Sequence, residues 1–161
     1  MPSSRRDVVE IARSWIGTRF LHQGRSRCLK SNGRLIGGID CAGLIVVVGH
    51  ESGLLDPSVD VPTYHRWPDG RTIREMLAKH SIEVPLCNAQ PGDIVVLKWE
   101  GSRFPHHMGI FSELPGGRLG MIHSYFDFRK VVESSYEEPW ISRTVSVHSW
   151  PGLRNVPWLS Y

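Results

Sequence analysis

The chain is predicted to fold as α+β, with helices in its first half and an antiparallel sheet in its second. Three observations carry this. Apolar residues recur at helical spacing early on, at Val8, Ile11, Ala12 and Trp15, and again at Ile73, Met76 and Leu77. After Pro85 the pattern changes to short β-branched runs such as Asp93–Trp99, DIVVLKW. Turn residues, Gln90-Pro91-Gly92 and Pro115-Gly116-Gly117, punctuate those runs at hairpin spacing. Helices first and strands second argue against an alternating βαβ chain. The 161 residues suit one domain over 1–161, ending in an aromatic, Pro-containing tail over 150–161. A chain this long buries enough core to fold without disulfides or a metal.

The first helix is expected from about Ser4 to Ile16, closed by Gly17. Thr18 to Gly38 is polar and rich in Arg, Ser, Asn and Gly, and is expected to be a long loop. The next helix is expected from Cys41 to about Ser52, with Asp40 as N-cap and Gly53 past its end. Its run Ile45–Val48 also suits a buried strand; the capping residues at both ends favour helix. Leu54 to Asp69 carries three prolines and reads as loop, and Thr72 to His80 as a third helix. Strands are expected at Asp93–Trp99, His107–Ser112, Leu119–Tyr125, Arg129–Glu133 and Thr144–Trp150. No internal repeat or low-complexity tract interrupts this order.

Composition excludes several classes. The formal net charge is +3, with basic residues crowded near the start (Arg5, Arg6, Arg13, Arg19, Arg25, Arg27, Lys30, Arg34) and an acidic stretch over Glu133–Glu138. A basic face can meet an anionic polymer, but no nucleic-acid motif or aromatic–basic repeat accompanies it, which disfavours nucleic acid as a partner. The three cysteines, Cys28, Cys41 and Cys87, form no CxxC or CxxH pair, so no metal site is expected. A Cys28–Cys87 bridge stays open. The longest apolar run, Leu44–Val48, is too short for a membrane span, and the N-terminus lacks the apolar core of a signal peptide. The expectation is a chain made in the cytoplasm without a cleaved leader. The tryptophans are read as core and interface, and the tail holding Trp150 and Trp158 as a docking segment or as a strap packed on its own domain.

Cys41 falls in the first turn of its helix, where unpaired N–H groups and the helix dipole favour a thiolate and can bind an oxyanion. Taken alone, the cysteine reads more simply as a small buried hydrophobe. The histidines change that weighting. His107 opens one strand and His123 lies on the next. A turn at Gly116 brings the two within about two residues of register. His123 can then hold one nitrogen of His107 while the other faces Cys41. The adjacent His106 is expected on the opposite strand face, with Met108 and Ile110.

As a set, these pieces are specific. Asp40-Cys41-Ala42-Gly43-Leu44, Pro91-Gly92-Asp93-Ile94-Val95, His107-Met108-Gly109-Ile110 and Met121-Ile122-His123-Ser124 resemble, in order and spacing, the motifs of the NlpC-type cell-wall cysteine peptidases, a branch of the papain-like fold. The resemblance covers roughly residues 5 to 150. It implies a papain-like NlpC-type domain with helices packed on an antiparallel sheet. It also implies the catalytic set Cys41, His107 and His123 and no cofactor. The substrate it implies is an amide of a peptidoglycan stem peptide, near D-glutamate and a diamino acid.

The stretch Trp15–Arg25 (WIGTRFLHQGR) is similar to the short, stand-alone version carried in phage tails and gene-transfer-agent particles. That implies tail hub or fibre proteins as partners, and action on the periplasmic wall from a virion-like particle. One departure stands out: the family commonly has tyrosine at Phe20, near the nucleophile. Phe20 keeps the ring and loses the donor, a loss on the order of 3 kcal/mol, or roughly a hundredfold in rate. Tyr64, His22 and Gln23 are candidates to replace that donor, and Asp40 to cap the helix or accept a substrate amine. The rival expectations are a structural tail-tip component with a silent triad, and an amidase or acyl transferase using the same three residues.

Overall fold

The computed structural model describes residues 3–66 and 69–154. Its order is α1 (Arg5–Ser14), β1 (Arg25–Leu29), β2 (Leu35–Ile39), α2 (Cys41–Glu51), α3 (Arg71–His80), β3 (Ile82–Val84), a 3-10 turn (Leu86–Asn88), β4 (Ile94–Lys98), β5 (Pro105–Leu114), β6 (Arg118–Tyr125), β7 (Lys130–Ser135), α4 (Trp140–Arg143) and β8 (Thr144–Ser149). The α+β expectation holds. Six strands form one sheet in the order β3-β8-β4-β5-β6-β7, with every neighbouring pair antiparallel.

α2 is the central element. Ala42 through Gly49 are all buried, as suits a helix apolar on every side. It lies between α1 and the sheet, in a core that includes Val8, Leu44, Val48, Ile94, Ile110 and Ile122. Gly49 has no side chain because Trp150 packs there; an added Cβ would come within 2.7 Å of its ring. Trp150 is buried and donates its ring N–H to the Gly92 carbonyl at 3.0 Å, so this part of the tail is core rather than docking segment. Trp158 lies outside the described residues.

Polar contacts fix α1 against the sheet. Ser4 and Asp7 form a capping box at its start. Buried Arg5 pairs with buried Asp93 at 2.7 Å, where the chain enters β4, and Arg13 pairs with Glu133 of β7 at 2.9 Å.

Two expectations are corrected. The polar stretch 18–38 is not simply loop: it contains the β1–β2 hairpin, with Arg25 opposite Ile39 and Leu29 opposite Leu35. This pair is separate from the main sheet; β1 reads RSRCL and β2 LIGGI, so neither strand alternates apolar with polar residues. The α1 helix closes at Ser14, capped by Trp15, two residues before the expected end. Short β3, the 3-10 turn and four-residue α4 had no sequence expectation. Cys28 and Cys87 are both free and exposed, so they form no bridge.

Candidate active site

The site begins where two strands part. β5 and β6 pair from Leu114↔Arg118 back to Ile110↔Ile122, and there the ladder stops, although both strands continue. The N-terminus of α2 fills the gap. On one side the Ser124 hydroxyl donates to the Ile39 carbonyl at 2.7 Å. On the other, the Met108 backbone N–H lies near the Cys41 sulfur and favours its charged form. A strand amide that would otherwise seek a carbonyl on β6 faces the thiol instead. The backbone N–H groups of Cys41 and Ala42, at the start of the helix, also favour the charged form.

The same parting lets two histidines meet. Carrying the Ile110↔Ile122 register three residues on sets His107 opposite Tyr125, two positions from His123. Their rings close the distance: His107 Nε2 lies 2.8 Å from His123 Nδ1. His123 Nε2 in turn lies 3.1 Å from the Ser134 hydroxyl on β7. Among the described residues, His107 Nδ1 has no hydrogen-bond partner. Trp99 stacks on the His107 ring with an interplanar angle of 10°, and Tyr125 and Trp140 complete an aromatic box around it.

Cys41, His107, Asp40, Phe20, His22 and Tyr64 line one open cleft of about 640 Å³, counting the solvent at its mouth. His123 is fully buried behind His107. Gln23 does not reach the cleft; its side-chain amide donates to the Tyr64 carbonyl at 2.7 Å. His106 and His107 were expected on opposite faces, yet both line the cleft. A bulge is the reason: Leu97 pairs with His107 and Lys98 with Pro105, which leaves His106 as the extra residue. An apolar cavity of about 500 Å³ lies alongside under α3, sharing Ala42 and Ile73, and its lining is almost wholly apolar.

Asp40 caps α2 as expected, accepting the Gly43 N–H at 2.8 Å. Its buried carboxylate also takes the Gln23 N–H at 2.7 Å, the Tyr64 hydroxyl and Arg25 at 3.3 Å. With these donors in place it has little left to offer a substrate amine. Burial and the Asp40 carboxylate push the Cys41 thiol up to about 12, outweighing the three N–H groups that favour its charged form. Both work against the preformed thiolate expected from the helix N-terminus. Burial, and then His123, hold His107 well below the usual imidazole range, and burial holds His123 at about 4. At neutral pH thiol and both imidazoles are uncharged. That arrangement is competent to pass a proton from sulfur to imidazole once a substrate takes up the developing charge.

Sequence reasoning missed Ser134, the Met108 N–H and the aromatic box. Serine carries no motif of its own, and the other two depend on the strand gap. Among the described residues, no group of three or more His, Cys, Asp or Glu side chains is placed to hold a metal ion. No helix there is long and apolar enough to cross a membrane.

No known family's sequence profile matches the chain, and no curated protein does. Solved structures do. An NlpC/P60 family protein from Bacillus cereus aligns over 93% of this chain and 41% of its own, at 16% identity and a TM-score of 0.63. The peptidoglycan hydrolase RipB from Mycobacterium tuberculosis aligns over 89% and 65%, at 21% identity and 0.55. RipD from the same organism, a non-catalytic NlpC/p60 domain protein adapted to peptidoglycan binding, aligns over 94% and 97%, at 17% and 0.54. The first two are longer proteins, of which this chain spans less than two thirds. At these identities the likeness is one of fold, and the fold is that of the NlpC/P60 domains.

Proposed function

We propose that the protein is a cysteine peptidase that hydrolyses an amide bond of peptidoglycan stem peptides. The observation that carries this reading is the Ser134–His123–His107 chain, ending at a His107 nitrogen in the same cleft as the cysteine that opens α2. The chain has one proton arrangement that makes His107 a base. His107 Nε2–H donates to His123 Nδ1, and His123 Nε2–H donates to Ser134, which leaves His107 Nδ1 unprotonated and facing the cleft.

The Cys41 thiol gives its proton to that nitrogen as the sulfur attacks the amide carbon. The carbonyl electrons move onto oxygen, and the Cys41 backbone N–H donates a hydrogen bond to that oxyanion. When they return, the C–N bond breaks, and His107 hands its proton to the leaving amine. Water then attacks the thioester with His107 again as base, which frees the acid and the thiol. Mass spectrometry of peptidoglycan digests tests this. Wild type is expected to release stem-peptide fragments, and Cys41→Ala and His107→Ala none. Product masses separate stem-peptide cleavage from amidase cleavage at the sugar–peptide junction.

The motif resemblance of Trp15–Arg25 supports a place at the tail tip of a phage or phage-like particle, where the enzyme opens the wall for DNA delivery. Proteomics of purified particles tests that placement, and a particle free of this chain refutes it. A second reading, a tail-tip component with a silent triad, is favoured by the raised Cys41 thiol and by Phe20. Turnover separates the two: stem-peptide products from wild type that vanish in Cys41→Ala support the peptidase, and no products from wild type on any wall chemotype support the silent triad.

A further inference from the structure

We propose that Arg66 reads a free carboxylate beside the scissile amide, so that the cleft selects an acidic peptide over its amidated counterpart. This rests on the hydrolase reading above and adds a determinant of specificity to it.

The charges along the cleft wall do not balance. Its ionisable groups, apart from Cys41 and Tyr64, are Asp40, His22, His65, Arg66, His106, His107 and, at the Tyr125 edge, that phenol. Asp40 is the wall's one carboxylate among the described residues, and Arg25 and its hydrogen-bond donors already occupy it. His107 and His106 are held below the ordinary imidazole range, chiefly by burial, and are neutral at pH 7. Arg25 divides its guanidinium between Asp60 at 2.9 Å and Asp40. Arg19 donates to the Gly37 carbonyl, and Arg27 lies over Trp15. Arg66 is exposed and, among the described residues, has neither a hydrogen bond nor an ion pair.

The cleft therefore offers an arriving peptide a free positive charge and no free negative one. Its neighbours Phe20, Trp99 and Phe126 are low-dielectric walls that strengthen such a charge. A guanidinium fork matches a carboxylate in a bidentate way that it does not match a carboxamide. The position is also anchored. Two residues earlier, the Tyr64 carbonyl accepts from Gln23 at 2.7 Å and pairs with His22 at 3.1 Å, while the Tyr64 hydroxyl holds Asp40. Arg66 thus leaves a fixed point on the rim of the cleft.

The test uses two synthetic stem peptides that differ only at the residue supplying the scissile carbonyl: D-glutamate with a free α-carboxylate, or its α-carboxamide. Wild type is expected to show a KM about tenfold lower for the acid peptide, with similar kcat. Arg66→Ala should erase the preference, Arg66→Glu invert it, and Arg66→Lys keep part of it. Calorimetric titration of Cys41→Ala protein, with and without Arg66→Ala, reads the same discrimination without turnover. If wild type cleaves neither peptide, the hydrolase reading fails, and the titration still decides Arg66. Equal affinity for both peptides, a preference that survives Arg66→Ala, or no binding of either at millimolar concentration overturns the proposal.

Discussion

Removing the Asp40 carboxylate should weaken the fold and quicken the thiol at once. Asp40→Ala takes the acceptor from four donors: the Gly43 and Gln23 N–H groups at 2.8 and 2.7 Å, the Tyr64 hydroxyl and Arg25. Loss of the helix cap costs about 1 kcal/mol. The Gln23 N–H and the Tyr64 hydroxyl lose a charged partner, at roughly 1 kcal/mol or more each where the open cleft admits water. Arg25 keeps Asp60 and adds little. The total is about 3 kcal/mol, or a fall in Tm of roughly 6–12 °C for a chain of this size. Asp40→Asn keeps the volume and the cap and should lose about half as much. Asp40 is also the second cause, after burial, of the raised Cys41 thiol. Its neutralisation lowers that pKa, so Cys41 should alkylate faster in Asp40→Asn than in wild type at the same pH. Scanning calorimetry reads the first effect and timed iodoacetamide labelling the second. Cys28 and Cys87, both exposed, are changed to serine in every protein compared. A Tm loss under about 2 °C for Asp40→Ala, or slower alkylation of folded Asp40→Asn, would refute this account of the Asp40 carboxylate and of its charge.

Further outcomes follow from the same geometry. His123→Ala frees the His107 ring from its 2.8 Å partner and should cut hydrolysis of stem peptides by about 10²–10⁴, whereas Ser134→Ala, one step further out, should cost severalfold. Phe20→Tyr restores a donor to the cleft wall and should raise kcat by up to roughly a hundredfold; an unchanged kcat would mean that its ring faces away from the developing oxyanion. His123 sits at about 4, below the ordinary 6.5, so the unfolded chain takes up its proton first as pH falls. Its stabilising contribution is complete above pH 6.5 and is lost between 6.5 and 4. Urea melts at pH 4.5 should therefore show at least about 2–3 kcal/mol less stability than at pH 7, and His123→Gln should shrink that difference while the share due to buried His107 remains.

Much of this was legible in the chain because it is written locally. Asp40 next to Cys41 announces a cap, and the apolar run behind it announces a buried helix. The two histidines fall near register because Pro115-Gly116-Gly117 fixes the turn between their strands, with Gly116 and Gly117 at φ of 83° and 71°. What stayed hidden is non-local. The β1–β2 hairpin buries too little to leave a period-two pattern. The pairing of His106 with His107 in one cleft follows from a bulge set by the β4 partner, which strand alternation alone does not reveal. Ser134 acts through a diagonal contact across β6 and β7. The forces on the thiol were only half visible: a helix N-terminus shows in sequence, while the burial and the neighbouring carboxylate that oppose it show only in space.

The Met108 amide sits where the β5–β6 ladder has ended, and it faces the Cys41 sulfur in place of a strand carbonyl. Whatever is added to that sulfur, whether an acyl group, an alkylating reagent or an oxidant, changes the surroundings of that amide. The solvent exchange of a single strand amide then becomes a gauge of how often the thiol is loaded.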